Sequence, residues 1–157
     1  MGQLGFTGVF ESLKQKGHLD ILIKLNFNES IPLIQLMVEE LSNRTNYSRS
    51  SYEQAHLSGV FKYMLSNFQV KGVFFLVDEL NISNQLQLQV IWDAIYIAIG
   101  NFAGDQMLQL KREHKWRHPM HNQFKAKQKL MFNQVIEGFQ NRFENNLLPD
   151  FDIRYLD

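Results

Sequence analysis

Between Ser83 and Arg112 the apolar residues Leu86, Val90, Ile91, Ala94, Ile95, Ala98, Ile99 and Phe102 recur at spacings of three and four, the period of one helical face. An amphipathic helix of this length has to be covered along its apolar stripe, so the rest of the chain must be arranged around it. Gly100 and Gly104 each cost a helix interior about 1 kcal/mol relative to Ala, and they mark where the helix either runs on or bends.

Shorter elements are expected on either side. Val9, Phe10 and Leu13 fit a helix from Thr7 to Lys16 that stops at Gly17, and "DILIKLNF" (20–27) alternates as a half-buried strand does. Ser30 caps a helix with Pro32 in its first turn that reaches about Leu41, apolar nearly all round and therefore central. After the polar linker 42–50, Ser50 and Glu53 form a capping box for a helix to about Asn67, with Val60, Phe61, Met64 and Leu65 on its buried face. "VFFLV" (73–77) favours a second strand, Pro119 separates the long helix from a final one over about Met120–Asn146, and Phe151, Ile153 and Tyr155 alternate as a third short strand. The expected fold class is α+β and mainly helical, about five helices with a small sheet of two or three strands; an all-α bundle is the alternative.

At 157 residues the chain fits a single domain, 1–157, that buries roughly 70% of its unfolded surface. With 45% apolar residues and thirteen Phe it lies far from the composition of disorder. It contains no cysteine, which excludes disulfides, thiolate metal sites and Cys nucleophiles. The apolar run "AIYIAI" (94–99) is too short to span a bilayer, and the N-terminal stretch lacks the pattern of a signal peptide, so no membrane association and a cytoplasmic location are expected.

The formal net charge is zero, but it is unevenly distributed. Residues 111–129, "KREHKWRHPMHNQFKAKQK", hold seven of the sixteen Lys and Arg against one acid, Glu113. Clustered cations of this kind suit backbone phosphates or an acidic protein surface, and an aromatic among them can stack or anchor. The candidate partner- or nucleic-acid-binding residues are therefore Lys111, Arg112, Lys115, Trp116, Arg117, Lys125 and Lys129; a solvated face at a helix junction is the plainer reading of the same residues.

Catalytic and cofactor motifs do not survive the same inspection. His114, His118 and His121 stand at intervals of four and three, but Pro119 breaks the helix that would align them on a metal. "VFFLVDEL" has the form of a Walker B strand ending in Asp78 and Glu79, yet the chain has no phosphate-binding G-x-x-x-x-G-K-[S/T] loop. Arg112 and His118, five residues apart, resemble the Arg-x4-6-His spacing of HEPN domains, small helical domains many of which are metal-independent ribonucleases. That resemblance implies His118 as general acid or base and Arg112 as the residue that steadies the phosphate.

The leading expectation is a non-catalytic interaction protein, an adaptor, inhibitor or accessory subunit, that binds a protein partner through the aromatic and basic surface near 111–129 and needs no cofactor or metal. The alternatives are a nucleic-acid-binding regulator using the same stretch and a HEPN-like ribonuclease using Arg112 and His118.

Overall fold

A computed structural model describes residues 27–113 and 118–152, in which four helices follow one another: α1 (Phe27–Asn43), α2 (Tyr52–Glu79), α3 (Gln85–Arg112) and α4 (His118–Arg142), with a short 3-10 turn at Asn145–Leu147. No strand occurs among the described residues, so the α+β expectation is overturned in favour of the all-α alternative. The reason is clearest at 73–77, which lies inside α2: Val73, Phe74, Leu76 and Val77 are buried and Phe75 is exposed, the i, i+1, i+3, i+4 pattern of a helix. A preference for β among Val and Phe reflects half-buried packing, and here packing selects the helix. Phe27, expected to end a strand, opens α1, while Phe151 and Asp152 are irregular; residues 7–26 and 153–155, where the first helix and the rest of the expected strands fall, lie outside the described residues.

Helix α3 is continuous through Gly100 and Gly104, both exposed and with open space where a side chain would stand. Its buried residues run from Gln87 to Ala103 and form the axis of the core. Asn84, not Ser83, is its N-cap: Asn84 Oδ1 accepts from the Gln87 N–H at 2.9 Å, and Gln87 Oε1 accepts in return from the Ser83 N–H at 2.8 Å. Likewise α2 is capped by Ser51, one residue later than expected, with its hydroxyl accepting from Gln54 N–H at 3.2 Å. Helix α1 is one-sided rather than apolar all round, burying Ile34, Met37, Val38 and Leu41 while Leu36 stays 47% exposed.

Helix α2 turns a corner at Gln69, where φ is 62° and ψ −155°. The arm before the corner runs in the same direction as α3, because Gln54 Nε2 donates to Val90 O at 3.0 Å and, further along, Lys62 pairs with Asp105. The arm after it returns toward the start of α3. Helix α4 is antiparallel to α3: Phe139 meets Trp92 and Phe132 stacks on Tyr96, with ring centroids 6.2 and 4.9 Å apart. Trp92, wholly buried, also meets Phe132 and Phe151 edge-on or tilted, so one α3 side chain gathers α4 and the C-terminal segment.

The link between α1 and α2 is held by charge. Asp93, in the middle of α3 and 5% exposed, receives Arg49 Nη2 at 2.9 Å and Nε at 3.1 Å on Oδ1, Gln89 Nε2 on the same oxygen, and the Tyr47 hydroxyl at 2.7 Å on Oδ2. Gln54 Nε2 donates to the Tyr47 oxygen at 2.7 Å, and the Arg49 guanidinium lies over the Tyr96 ring. A buried carboxylate is tolerable only when paired and hydrogen-bonded in this way. Removing the cation should therefore be costly: Arg49→Ala is expected to lower the unfolding free energy by about 2–4 kcal/mol in urea denaturation, with Asp93→Asn/Arg49→Ala recovering part of that loss. Burial, and next the Asp93 carboxylate, push the Tyr47 phenol well above its ordinary range. Because the folded state holds this proton more tightly than the unfolded chain, stability falls as pH rises past the unfolded phenol value of about 10. Tyr47→Phe should be less stable at neutral pH and show a shallower alkaline decline, read from thermal midpoints between pH 7 and 11.

Candidate functional site

The last buried residue of α3 is Ala103, and among the described side chains of α4 the first buried one is Phe132. Beyond those two points the helices continue as an antiparallel hairpin that the core does not cover. Gln106, Gln109 and Leu110 of α3, with Glu113 just past its end, face Phe124 and Lys127 of α4 across a cleft of about 330 Å³. The hairpin carries the basic residues: Lys111 and Arg112 are exposed in the last turn of α3, where cations also complement the helix dipole. Lys125, Lys127 and Lys129 are exposed on α4.

Lys125 and Lys129 occupy an informative position. Residues seven apart on a helix lie nearly in line, so Lys125 stands above Phe132, and Lys129 is only one turn away. The face of α4 that is core from Phe132 to Phe139 is continued before it by the half-buried Gln128 and Phe124, and the exposed lysines flank that line. Among the expected site residues, Lys111, Arg112, Lys125 and Lys129 are thus brought to one hairpin. Lys115, Trp116 and Arg117 belong to the connection outside the described residues. Arg112 closes α3 and His118 opens α4, so the HEPN-like pair brackets that connection. No cluster of His, Asp or Glu suited to a metal occurs among the described residues, and none of the described helices is long and apolar enough to cross a membrane.

A second feature adjoins the hairpin and escaped sequence reasoning. A groove of about 900 Å³ lies between the return arm of α2 and α4, with Phe102 of α3 also lining it, and Gln106 and Lys127 line both this groove and the hairpin cleft. Phe75 and Leu130 on its walls are 55% and 58% exposed. Neither helix alone signals the groove, which exists because the two are held together at one end only. There the Phe74 ring lies against Gly138 and meets Phe139 at right angles, while Arg142 covers Phe74 at 4.2 Å from its centroid and pairs with Asp78 through Nε at 2.7 Å and Nη2 at 3.3 Å. Asp78, expected at the end of a Walker-like strand, is one half of this clasp.

A Cβ at position 138 would sit within 3.0 Å of three Phe74 ring carbons. Gly138→Ala is accordingly expected to destabilise the protein by about 1–3 kcal/mol despite its gain in helix propensity, and Phe74→Leu should cost less in that background than in the wild type; a double-mutant cycle by thermal or urea unfolding measures the coupling. Against protein-family models, curated proteins and solved structures, the chain finds no match.

Proposed function

We propose that the protein is a non-catalytic binding module that holds nucleic acid by its backbone phosphates, using the basic hairpin formed by the end of α3 and the start of α4. The observation that supports this most is the gathering of five exposed cations, Lys111, Arg112, Lys125, Lys127 and Lys129, on the ends of α3 and α4 that extend past the buried core. In residues 111–129 Glu113 is the single carboxylate against seven Lys and Arg. Phosphate recognition needs clustered, accessible cations and tolerates the absence of any deep pocket. On this reading Lys115 and Arg117 extend the cationic surface, Trp116 supplies a stacking platform for single strands, and the chain works as one domain in the cytoplasm without cofactor or metal.

A protein partner is the second reading, favoured by the neighbouring groove with its half-exposed Phe75 and Leu130. The two differ in salt dependence. Phosphate binding weakens in proportion to the counterions released, with a slope of about −0.7 per contact on a logarithmic scale for single strands.

Labelled single-stranded and duplex RNA and DNA, titrated by fluorescence anisotropy at low and moderate salt, should bind in a salt-sensitive way. The triple variant Lys125→Ala, Lys127→Ala, Lys129→Ala should bind at least about tenfold more weakly and with a slope reduced by about 2. No binding at micromolar protein in low salt would overturn the proposal in favour of a protein partner. Cleavage of the RNA, abolished by His118→Ala, would replace the binding role with the ribonuclease one.

A further inference from the structure

Gln69 adopts φ 62° and ψ −155°, a region of backbone space open to glycine and strained for any residue with a side chain. Every other residue from Tyr52 to Glu79 is helical, so the strain is confined to one hinge between two arms of what would otherwise be a continuous helix. The corner is also tight. A Cβ on Gly72 would stand 2.6 Å from Met64 O and 2.7 Å from Phe68 Cβ, contacts that arise because the chain doubles back on itself. Both obstacles disappear when the hinge straightens, since residues 64 and 72 of a continuous helix are about 12 Å apart along its axis.

A single chain cannot straighten the hinge without cost. Leu57, Phe61 and Leu65 of the first arm and Val73, Leu76 and Val77 of the return arm are buried in the same core, and pulling the arms apart exposes one set or the other. Two chains can do so together. If the first arm, with α1, packs on the α3 of a second copy and the exchange is reciprocal, the buried contacts are remade in kind, Asp93 with Arg49 and Gln54 with Val90 included. Only the two hinges differ, and they are relaxed.

We propose that this protein exchanges α1 and the first arm of α2 with a second copy of itself, forming a dimer in which α2 is one unbroken helix and Gln69 is the hinge. The partner is identified by the chemistry of the core: only another copy presents the same apolar faces and the same buried charge to the departing arm.

Two substitutions move the equilibrium in opposite directions. Gln69→Gly relieves the folded-back corner and should favour the monomer, lowering the dimer association constant by about a hundredfold, tenfold for each of two hinges. Gly72→Ala adds the methyl group that only the straight helix accommodates and should favour the dimer. Mass by light scattering after size exclusion, over a range of protein concentrations, reads both. The chain has no cysteine, so Ala55→Cys and Glu79→Cys can carry spin labels, with excess unlabelled chain isolating the distance within one chain. That distance should be about 36 Å in the dimer, the length of 24 helical residues, and much shorter in the monomer.

An association constant unchanged in Gln69→Gly would overturn the proposal. So would a dimer that keeps the short distance, which would be held by surface contact instead, or a wild-type chain that remains monomeric at millimolar concentration. Loss of folding in Gly72→Ala leaves the Gln69→Gly comparison and the wild-type distance to decide.

Discussion

One buried carboxylate organises half of this bundle. Asp93 sits midway along α3 with almost no exposure, where an unpaired charge would cost several kcal/mol, and its countercharge and its phenol donor both come from outside its own helix, which adds only Gln89. Arg49 and Tyr47 come from the link between α1 and α2, so placing them on Asp93 fixes where α2 begins and which way its first arm points. Gln54 extends the same network to the α3 backbone at Val90. The aromatic contacts of Trp92, one residue earlier in the sequence, hold α4 and the C-terminal segment. Adjacent residues on a helix point about 100° apart, so Asp93 and Trp92 divide the helix between a charged attachment and an apolar one.

That division explains which parts of the fold were legible in the sequence. Most of the stripe of α3 is legible because its apolar residues repeat one period: six of the eight, Val90, Ile91, Ala94, Ile95, Ala98 and Ile99, are buried, whereas Leu86 is exposed and Trp92, Asp93 and Tyr96 are buried off the stripe; the glycines within it meet nothing that would object to a side chain. Residues 73–77 are different: five β-favouring residues are too few to show a period, and the helix is imposed by Gly138 and Arg142, about 65 residues away. Caps were misplaced by one residue at both Ser50 and Ser83 because neighbouring polar residues offer equivalent oxygens, and only the tertiary path of the backbone chooses between them. The Asp93 network left no trace either, since its members are spread from residue 47 to residue 93.

The candidate site was legible in composition but not in position. A count of charges finds residues 111–129, whereas their significance depends on where the bundle ends, and no local pattern records that. Lys125 and Lys129 look like the solvent face opposite Phe124 and Met131, and in the fold both are exposed while Phe124 and Met131 are half-buried; what the pattern does not give is that they stand before Phe132, where the buried core begins. The groove beside them is the complementary case. Its walls are two helices whose sequences give no hint of a gap, and it opens because the clasp at Phe74, Asp78 and Arg142 closes only the far end.

Strain and charge then fall on opposite sides of the same structural question, how a 28-residue helical segment is accommodated on a shorter core. A straight α2 would be about 42 Å long, whereas the buried part of α3, Gln87 to Ala103, spans about 24 Å. Folding α2 at Gln69 matches it to that core at the expense of one strained residue, while α3 and α4 keep their full lengths and overhang as the basic hairpin. The overhang half-buries only a few apolar residues, Leu110 and Phe124 among them, and carries its charge outside the core. The corner has apolar faces on both arms and so stays closed only while both are covered, which ties the hinge to the packing of the core.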